Sequence, residues 1–200
     1  MTHPHPTPVH SPDDLYRTPP PWDIGRPQPA FLALADSGAI HGRVLDVGCG
    51  TGEHVLLCAG RGLDVTGVDL AATALRTAET KARDRGLAAR FLHQDARQLA
   101  DLGESFDTAL DSGLFHIFGE GDRLTFVDSV RSVLRPGGRY FVLCVSDQQP
   151  GTEGPHRIAR DEITAAFASG WWIDSVEPST IDITTDPNGL RAWLISLTRI

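Results

Sequence analysis

From residue 42 onward, short bunched runs of apolar residues alternate with stretches in which apolar positions recur every three or four residues. The bunched runs "RVLDVG" (43–48), "DVTGVDL" (64–70), "ARFLHQD" (89–95), "FDTALDSG" (106–113) and "GRYFVLCVS" (138–146) predict strands. Between them, "EHVLLCAGRG" (53–62), "ATALRTAETKARDRG" (72–86), "ARQLADL" (96–102) and "GDRLTFVDSVRSVL" (121–134) predict helices. The first of these is closed by glycine and the second carries basic residues toward its C-terminal end. A turn at Pro136-Gly137-Gly138 leads into the fifth strand. Strands alternating with helices imply right-handed crossovers and a mostly parallel sheet.

The last third changes pattern. "ARDEITAAFASG" (159–170) predicts a helix, followed by two strand-like runs, "WWIDSVEPSTIDITT" (171–185) and "LRAWLISLTRI" (190–200). A turn at Asp186-Pro187-Asn188-Gly189 makes them an antiparallel hairpin. Adjacent residues in a strand point to opposite faces, so Trp171 and Trp172 are expected to divide, one into the core and one beneath a helix.

Residues 1–14 repeat proline and carry little to bury, which predicts a disordered tail. His3, His5 and His10 alternate with proline there, have no fixed geometry, and predict no metal site. Residues 15–41 bring Tyr16 and Trp22 into a proline-rich segment before a short helix over 29–37, and read as an N-terminal lid. Residues 42–200 then form one domain, since 200 residues with 40% hydrophobic content suffice for one full-sized core.

A net charge of -8 opposes attraction to phosphate backbones, so nucleic acid is not an expected partner. Three cysteines, Cys49, Cys58 and Cys144, with no C-x-x-C, suit a reducing compartment. No apolar run approaches the ~20 residues of a membrane span, and no basic start leads an apolar stretch. The expectation is a soluble cytoplasmic protein, monomer or homodimer.

"GRVLDVGCGTGEHV" (42–55) carries the chemistry. Gly48, Gly50 and Gly52 let the backbone turn sharply against a ligand, at the carboxyl edge where such sheets bind. A dinucleotide site prefers G-x-G-x-x-G, whereas the register here is G-x-G-x-G with Glu53 following. Asp46 and Glu53 flanking the loop would repel a pyrophosphate and suit a ligand carrying an ammonium group. Asp69 ends the second predicted strand, where a carboxylate can accept from both ribose hydroxyls. Asp95 with the Ala96 amide ends the third, in position for an adenine edge, and Asp111 with Ser112 ends the fourth.

"VLDVGCGTGE" (44–53), "VTGVDL" (65–70), "FLHQDA" (91–96), "FDTALDSGLFH" (106–116) and "LRPGGRYFVL" (134–143) together resemble the class I S-adenosylmethionine-dependent methyltransferases. The resemblance implies a Rossmann-like, doubly wound, mostly parallel seven-stranded α/β sheet with helices on both faces and a C-terminal antiparallel hairpin. It implies S-adenosylmethionine as cofactor and S-adenosylhomocysteine as product. Gly48 and Gly50 would then wrap the methionine part, Asp69 the ribose, Asp95 and Ala96 the adenine, and Leu70 would pack on the base. "PPWDIGRPQPAF" (20–31) is further similar to the thiopurine-methyltransferase-like group and to bacterial enzymes that methylate heterocyclic toxins.

The implied acceptor is an oxygen, nitrogen or sulfur of a small aromatic or heterocyclic molecule, with Tyr16, Trp22, Phe115 and Phe118 as stacking surfaces. Tyr16 and Trp22 would roof the pocket, unless Trp22 instead pins its segment to the core. His116 either takes the proton of a weakly acidic hydroxyl or packs in the pocket wall. His156 and Arg157, in the polar loop 148–162, would meet an anionic part of the acceptor or simply stand exposed. A quinone or lipid-type acceptor, a nicotinamide-dependent oxidoreductase and a non-catalytic cofactor-binding protein are the alternatives. No Pro-Pro-Tyr run follows the fourth strand, which disfavours a nucleic-acid methyltransferase.

Overall fold

The computed structural model describes residues 11–200. His3, His5 and His10 of the expected tail lie outside them. The described chain runs α1 (Pro29–Asp36), β1 (Arg43–Val47), α2 (Glu53–Gly60), β2 (Asp64–Asp69), α3 (Ala72–Asp84), β3 (Arg90–His93) and β4 (Phe106–Ser112). It continues through α4 (Glu120–Val133), β5 (Leu134–Val145), α5 (Arg160–Ala166), β6 (Trp171–Ile183) and β7 (Asp186–Arg199). Short 3-10 helices stand at Pro12–Tyr16, Ala96–Leu102 and Phe115–Ile117.

The seven strands form one sheet in the order β3-β2-β1-β4-β5-β7-β6. β1 to β5 are parallel, and β7 runs antiparallel between β5 and β6. Strand order therefore reverses between β1 and β4, which opens a crevice at their carboxyl ends.

The period-2 alternation of the strands separates two cores. In β5, Tyr140, Val142 and Cys144 join the cluster under α4 and α5, while Phe141, Leu143 and Val145 join the one under α1, α2 and α3. A strand covered on both faces must be apolar throughout, which explains the unbroken "YFVLCV". Helix α3 buries Ala74, Leu75, Ala78 and Ala82, and three alanines along that face let it approach the sheet closely.

The structure corrects four expectations. Order begins before residue 15: Pro12–Tyr16 is helical, the Ser11 amide is capped by Asp14, and Asp13 accepts the Thr73 amide at 2.7 Å at the start of α3. The hairpin turns at Thr184 and Thr185 instead of at the Pro-Asn-Gly run, which lies in β7 opposite a break in register between Ile181 and Ile183. The Thr184 amide donates to the Pro21 carbonyl at 2.8 Å, so the N-terminal segment selects the turn. The Pro136-Gly137-Gly138 turn falls within β5, where Leu134 pairs with Phe106 and Arg139 with Thr108. Finally, one tryptophan of the pair, Trp171, is buried as expected, but the other, Trp172, is 66% exposed and lies under no helix, because β6 is the sheet edge.

Candidate active site

The crevice between β1 and β4 is built from the loops that leave them. Gly48, Gly50 and Gly52 all have positive φ. Gly52, at φ +87, caps α2, and a Cβ there would stand 2.8 Å from Ala78 and 3.1 Å from Phe91. Only glycine lets this loop lie against α3. At Gly50 a Cβ would meet the Tyr16 hydroxyl at 2.8 Å, and at Gly48 it would meet Leu114 at 3.1 Å. The loop is thus covered by one side chain from the N-terminal segment and one from the loop after β4.

The acidic residues differ in their freedom. Asp46 is 1% exposed, and its Oδ2 has no hydrogen-bond partner. Burial, then the charges of Asp111 and Asp69, hold its carboxyl well above the usual range. A buried carboxylate oxygen lacking a donor is costly, and an ammonium group supplies both donor and charge. The donor set therefore fits the amino-acid end of the expected cofactor. Asp69 accepts the Gly50 and Ala71 amides, each at 2.8 Å, and burial still pushes its carboxyl upward against those bonds. Leu70 beside it is exposed, an apolar platform suited to a base.

Asp95 is less free than its position suggests. Its carboxylate accepts from the Arg97 amide at 2.9 Å and from the Arg97 guanidinium at 2.8 Å, and the arginine holds it below the usual carboxylate range. The neighbouring Ala96 is buried. Asp111 is fully buried and spends its oxygens on the Leu114 amide at 2.7 Å, the Phe115 amide at 3.1 Å and the Tyr140 hydroxyl at 3.0 Å. Burial raises it to about 7 despite those bonds. It shapes the loop after β4, and Ser112, the last residue of that strand, is partly buried. Glu53 does not face a ligand: Arg85 grips it with two bonds of 2.9 Å and Lys81 with one of 2.9 Å. Burial pushes its carboxyl up, and the two cations outweigh that and lower it. The second loop carboxylate expected to attract an ammonium is already neutralised.

On the acceptor side, Phe115 is fully buried, stacked on Phe167 at 5.5 Å between centroids with the Arg123 guanidinium over its ring at 5.2 Å. It belongs to the core and offers no stacking surface, a correction forced by the two Asp111 oxygens that pull its backbone inward. Phe118 is partly buried against Phe126, with Arg97 over its ring at 5.9 Å. Tyr16 and Trp22 meet edge to face at 6.5 Å. Trp22 is 45% exposed, so it does not pin the segment into the core. His116 is buried, and its Nδ1 accepts the Val145 amide at 3.1 Å. Burial, then the charges of His156 and Arg123, push its imidazole down to about 4.

His156 and Arg157 serve their own loop. Arg157 donates to the carbonyls of Gln149, Pro150 and Glu153, and His156 pairs with Glu162 at 2.7 Å. Neither is presented to the crevice as an unoccupied anion binder.

Four contacts escaped the sequence reading. Asp23 accepts the Thr51 hydroxyl at 3.0 Å and Lys81 donates to the same hydroxyl at 2.9 Å, which ties the N-terminal segment, the glycine loop and α3 together. Val145 orients His116, and Tyr140 holds Asp111. Only the capping pattern of Ser11 with Asp14 was a local signal; the other partners are 28 or more residues apart.

Comparison with known proteins finds relatives of this chain. A family model described as "Methyltransferase domain" matches residues 44–138. The 2-heptyl-1-hydroxyquinolin-4(1H)-one methyltransferase of Mycobacteroides abscessus is 34% identical over 81% of this chain and 73% of its own. "Probable thiol methyltransferase 2" of Arabidopsis thaliana is 30% identical over 71% of this chain and 64% of its own. Among solved structures, one from work on the conversion of a disulfide bond into a thioacetal group during echinomycin biosynthesis superposes with a TM-score of 0.85. It is 37% identical, over 94% of this chain and 89% of that one.

Proposed function

This chain belongs to the class I S-adenosylmethionine-dependent methyltransferases, and on that footing we propose that it methylates an oxygen, nitrogen or sulfur atom of a small aromatic or heterocyclic molecule. The observation that carries the acceptor class is the aromatic roof: the Tyr16 hydroxyl over Gly50, with Trp22 against the Tyr16 ring. Flat molecules stack on such surfaces. The names of the quinolone and thiol methyltransferases that this chain resembles support the same class. A nicotinamide-dependent oxidoreductase is set aside by the family.

When bound, S-adenosylmethionine supplies a methyl group already activated by its sulfonium. The chain's task is then to hold, orient and exclude water. Asp46 would take the ammonium group, the glycine loop the methionine part, Asp69 the ribose hydroxyls, and Leu70 and the Ala96 amide the adenine. Asp95 would share its carboxylate between Arg97 and the adenine amino group. Phe118, Tyr16 and Trp22 would place the acceptor in line behind the methyl carbon, and orientation of this kind accounts for on the order of 7 to 11 kcal/mol of a barrier. Tyr16, seated by Asp13 and Asp23 on α3 and the glycine loop, closes the pocket against water.

The test is direct. Purified protein is incubated with S-adenosylmethionine and either 2-heptyl-1-hydroxyquinolin-4(1H)-one or an aryl thiol, and products are read by mass. Gain of one methyl group on either supports the reading. Calorimetric binding of S-adenosylhomocysteine without transfer to any aromatic, heterocyclic or thiol acceptor would refute the acceptor class.

A further inference from the structure

Resting on the methyl-transfer reading, we propose that the acceptor reaches the site already ionised, as an N-hydroxy heterocycle, a thiol or an acidic phenol, and that His116 meets it as a hydrogen-bond donor through Nε2 and not as the base that ionises it. The argument starts from the tautomer. The Val145 N–H donates to Nδ1 at 3.1 Å, so Nδ1 carries a lone pair and the single proton of the neutral ring sits on Nε2. That end of the ring borders Gly113, where a Cβ would lie 3.6 Å from Nε2, in the same loop whose Leu114 covers Gly48. No acceptor for Nε2–H exists among the described residues. To act as a base, Nε2 would need a lone pair, and moving the proton to Nδ1 would set N–H against N–H at Val145.

The surroundings oppose the alternative of a charged ring. Arg123 of α4, 5% exposed, stands over Phe115 and donates to the Phe118 carbonyl at 2.9 Å, and His156 approaches from the loop after β5. Glu162 of α5 could compensate, but it is engaged by Arg123 at 2.9 Å and by His156 at 2.7 Å. Asp111 of β4 is closed off by Leu114, Phe115 and Tyr140. Burial with these charges accordingly holds the imidazole at about 4, too weak a base to draw a proton from a hydroxyl at neutral pH. At the glycine loop, Asp69 is held by two amides, and burial pushes the Tyr16 hydroxyl above its ordinary range.

The step balances without an enzyme base. The acceptor's proton leaves to water before transfer. A lone pair on its heteroatom then forms the bond to the methyl carbon as the carbon–sulfur bond breaks, the electron pair remaining on sulfur. A donor aimed at the acceptor favours its ionised form and orients that lone pair.

The experiment measures kcat/KM from pH 5 to 9.5 for 2-heptyl-1-hydroxyquinolin-4(1H)-one, 4-nitrothiophenol and benzyl alcohol. It uses wild-type protein, His116→Gln, His116→Phe and Asp147→Asn, the last because Asp147 stands exposed in the turn just beyond β5. The expected inflection follows each acidic acceptor's own ionisation, benzyl alcohol is not methylated, and Asp147→Asn leaves the profile in place. Glutamine keeps an N–H near the Nε2 position without basicity, so His116→Gln should lose less than tenfold and His116→Phe much more than tenfold. An inflection fixed at one pH for both acidic acceptors and abolished in His116→Gln would overturn the proposal, as would brisk methylation of benzyl alcohol or a profile moved by Asp147→Asn. Methylated product from either acidic acceptor secures the underlying reading, so a failed pH test strikes only the role given to His116. Absence of product from all three overturns both.

Discussion

The Asp69 carboxylate accepts the Gly50 amide at 2.8 Å, so the acid at the end of β2 also pins the glycine loop that leaves β1. One side chain would therefore both shape the proposed cofactor cradle and stand where the ribose is proposed to bind. Asp69→Ala should weaken S-adenosylhomocysteine binding at least tenfold, about 1.4 kcal/mol, and speed hydrogen exchange at Gly50. Calorimetry with amide exchange on the same protein checks both, and unchanged affinity would remove Asp69 from the site.

Asp46 leads to a proton-linkage prediction. Its carboxyl is held above the usual range by burial and by Asp111 and Asp69, which favours the protonated form until a cation arrives beside it. Binding of S-adenosylhomocysteine, which bears the ammonium group, should release protons. The observed binding enthalpy near pH 7 should then vary with the ionisation enthalpy of the buffer, and the variation should shrink in Asp46→Asn. Identical enthalpies across buffers would contradict the assignment.

Acid should destabilise the fold through His54 and His116. His54 accepts the Gln28 amide at 3.1 Å, lies on Phe31, and burial pushes it down to about 4. A folded pKa below the unfolded one means the unfolded chain binds the proton first. The stability is thus complete above about 6.5 and lost as pH falls toward 4, up to about 3 kcal/mol. His116 acts in the same direction. Asp111, raised by burial to about 7, works oppositely: its contribution is present below about 4 and declines as pH rises through 7. His54→Gln keeps an acceptor for Gln28 and should flatten the dependence of urea midpoints on pH between 4.5 and 7. A slope equal to wild type would show that His54 does not titrate as described.

Two adjacent tryptophans should respond very differently to truncation. Trp171 is 5% exposed and packs on Tyr140 and Phe167, whereas Trp172 is 66% exposed on the edge strand. Trp171→Ala should cost about 3 to 5 kcal/mol, and Trp172→Ala less than about 0.5 kcal/mol. Chemical denaturation of the two variants measures this, and comparable losses would mean that Trp172 is covered in solution.

The order of elements was legible in the chain, because a strand covered on both faces must be apolar and a helix covered on one face must be periodic. The glycines of 48 to 52 and the acids ending β1 to β4 were legible too, since backbone conformation and strand ends are local matters. Tertiary structure decided which of those groups are free. Glu53 is neutralised by Arg85, 32 residues away, Asp111 is closed by Tyr140, and Val145 assigns the proton of His116. Phe115 sank into the core while Trp172 stayed in solvent, although the resemblance gave the first to the pocket and the strand pattern put one of the two tryptophans beneath a helix. Local sequence dictates backbone geometry, but the charge, tautomer and exposure of a side chain depend on the dielectric and partners around it, and these are assembled only when distant segments meet.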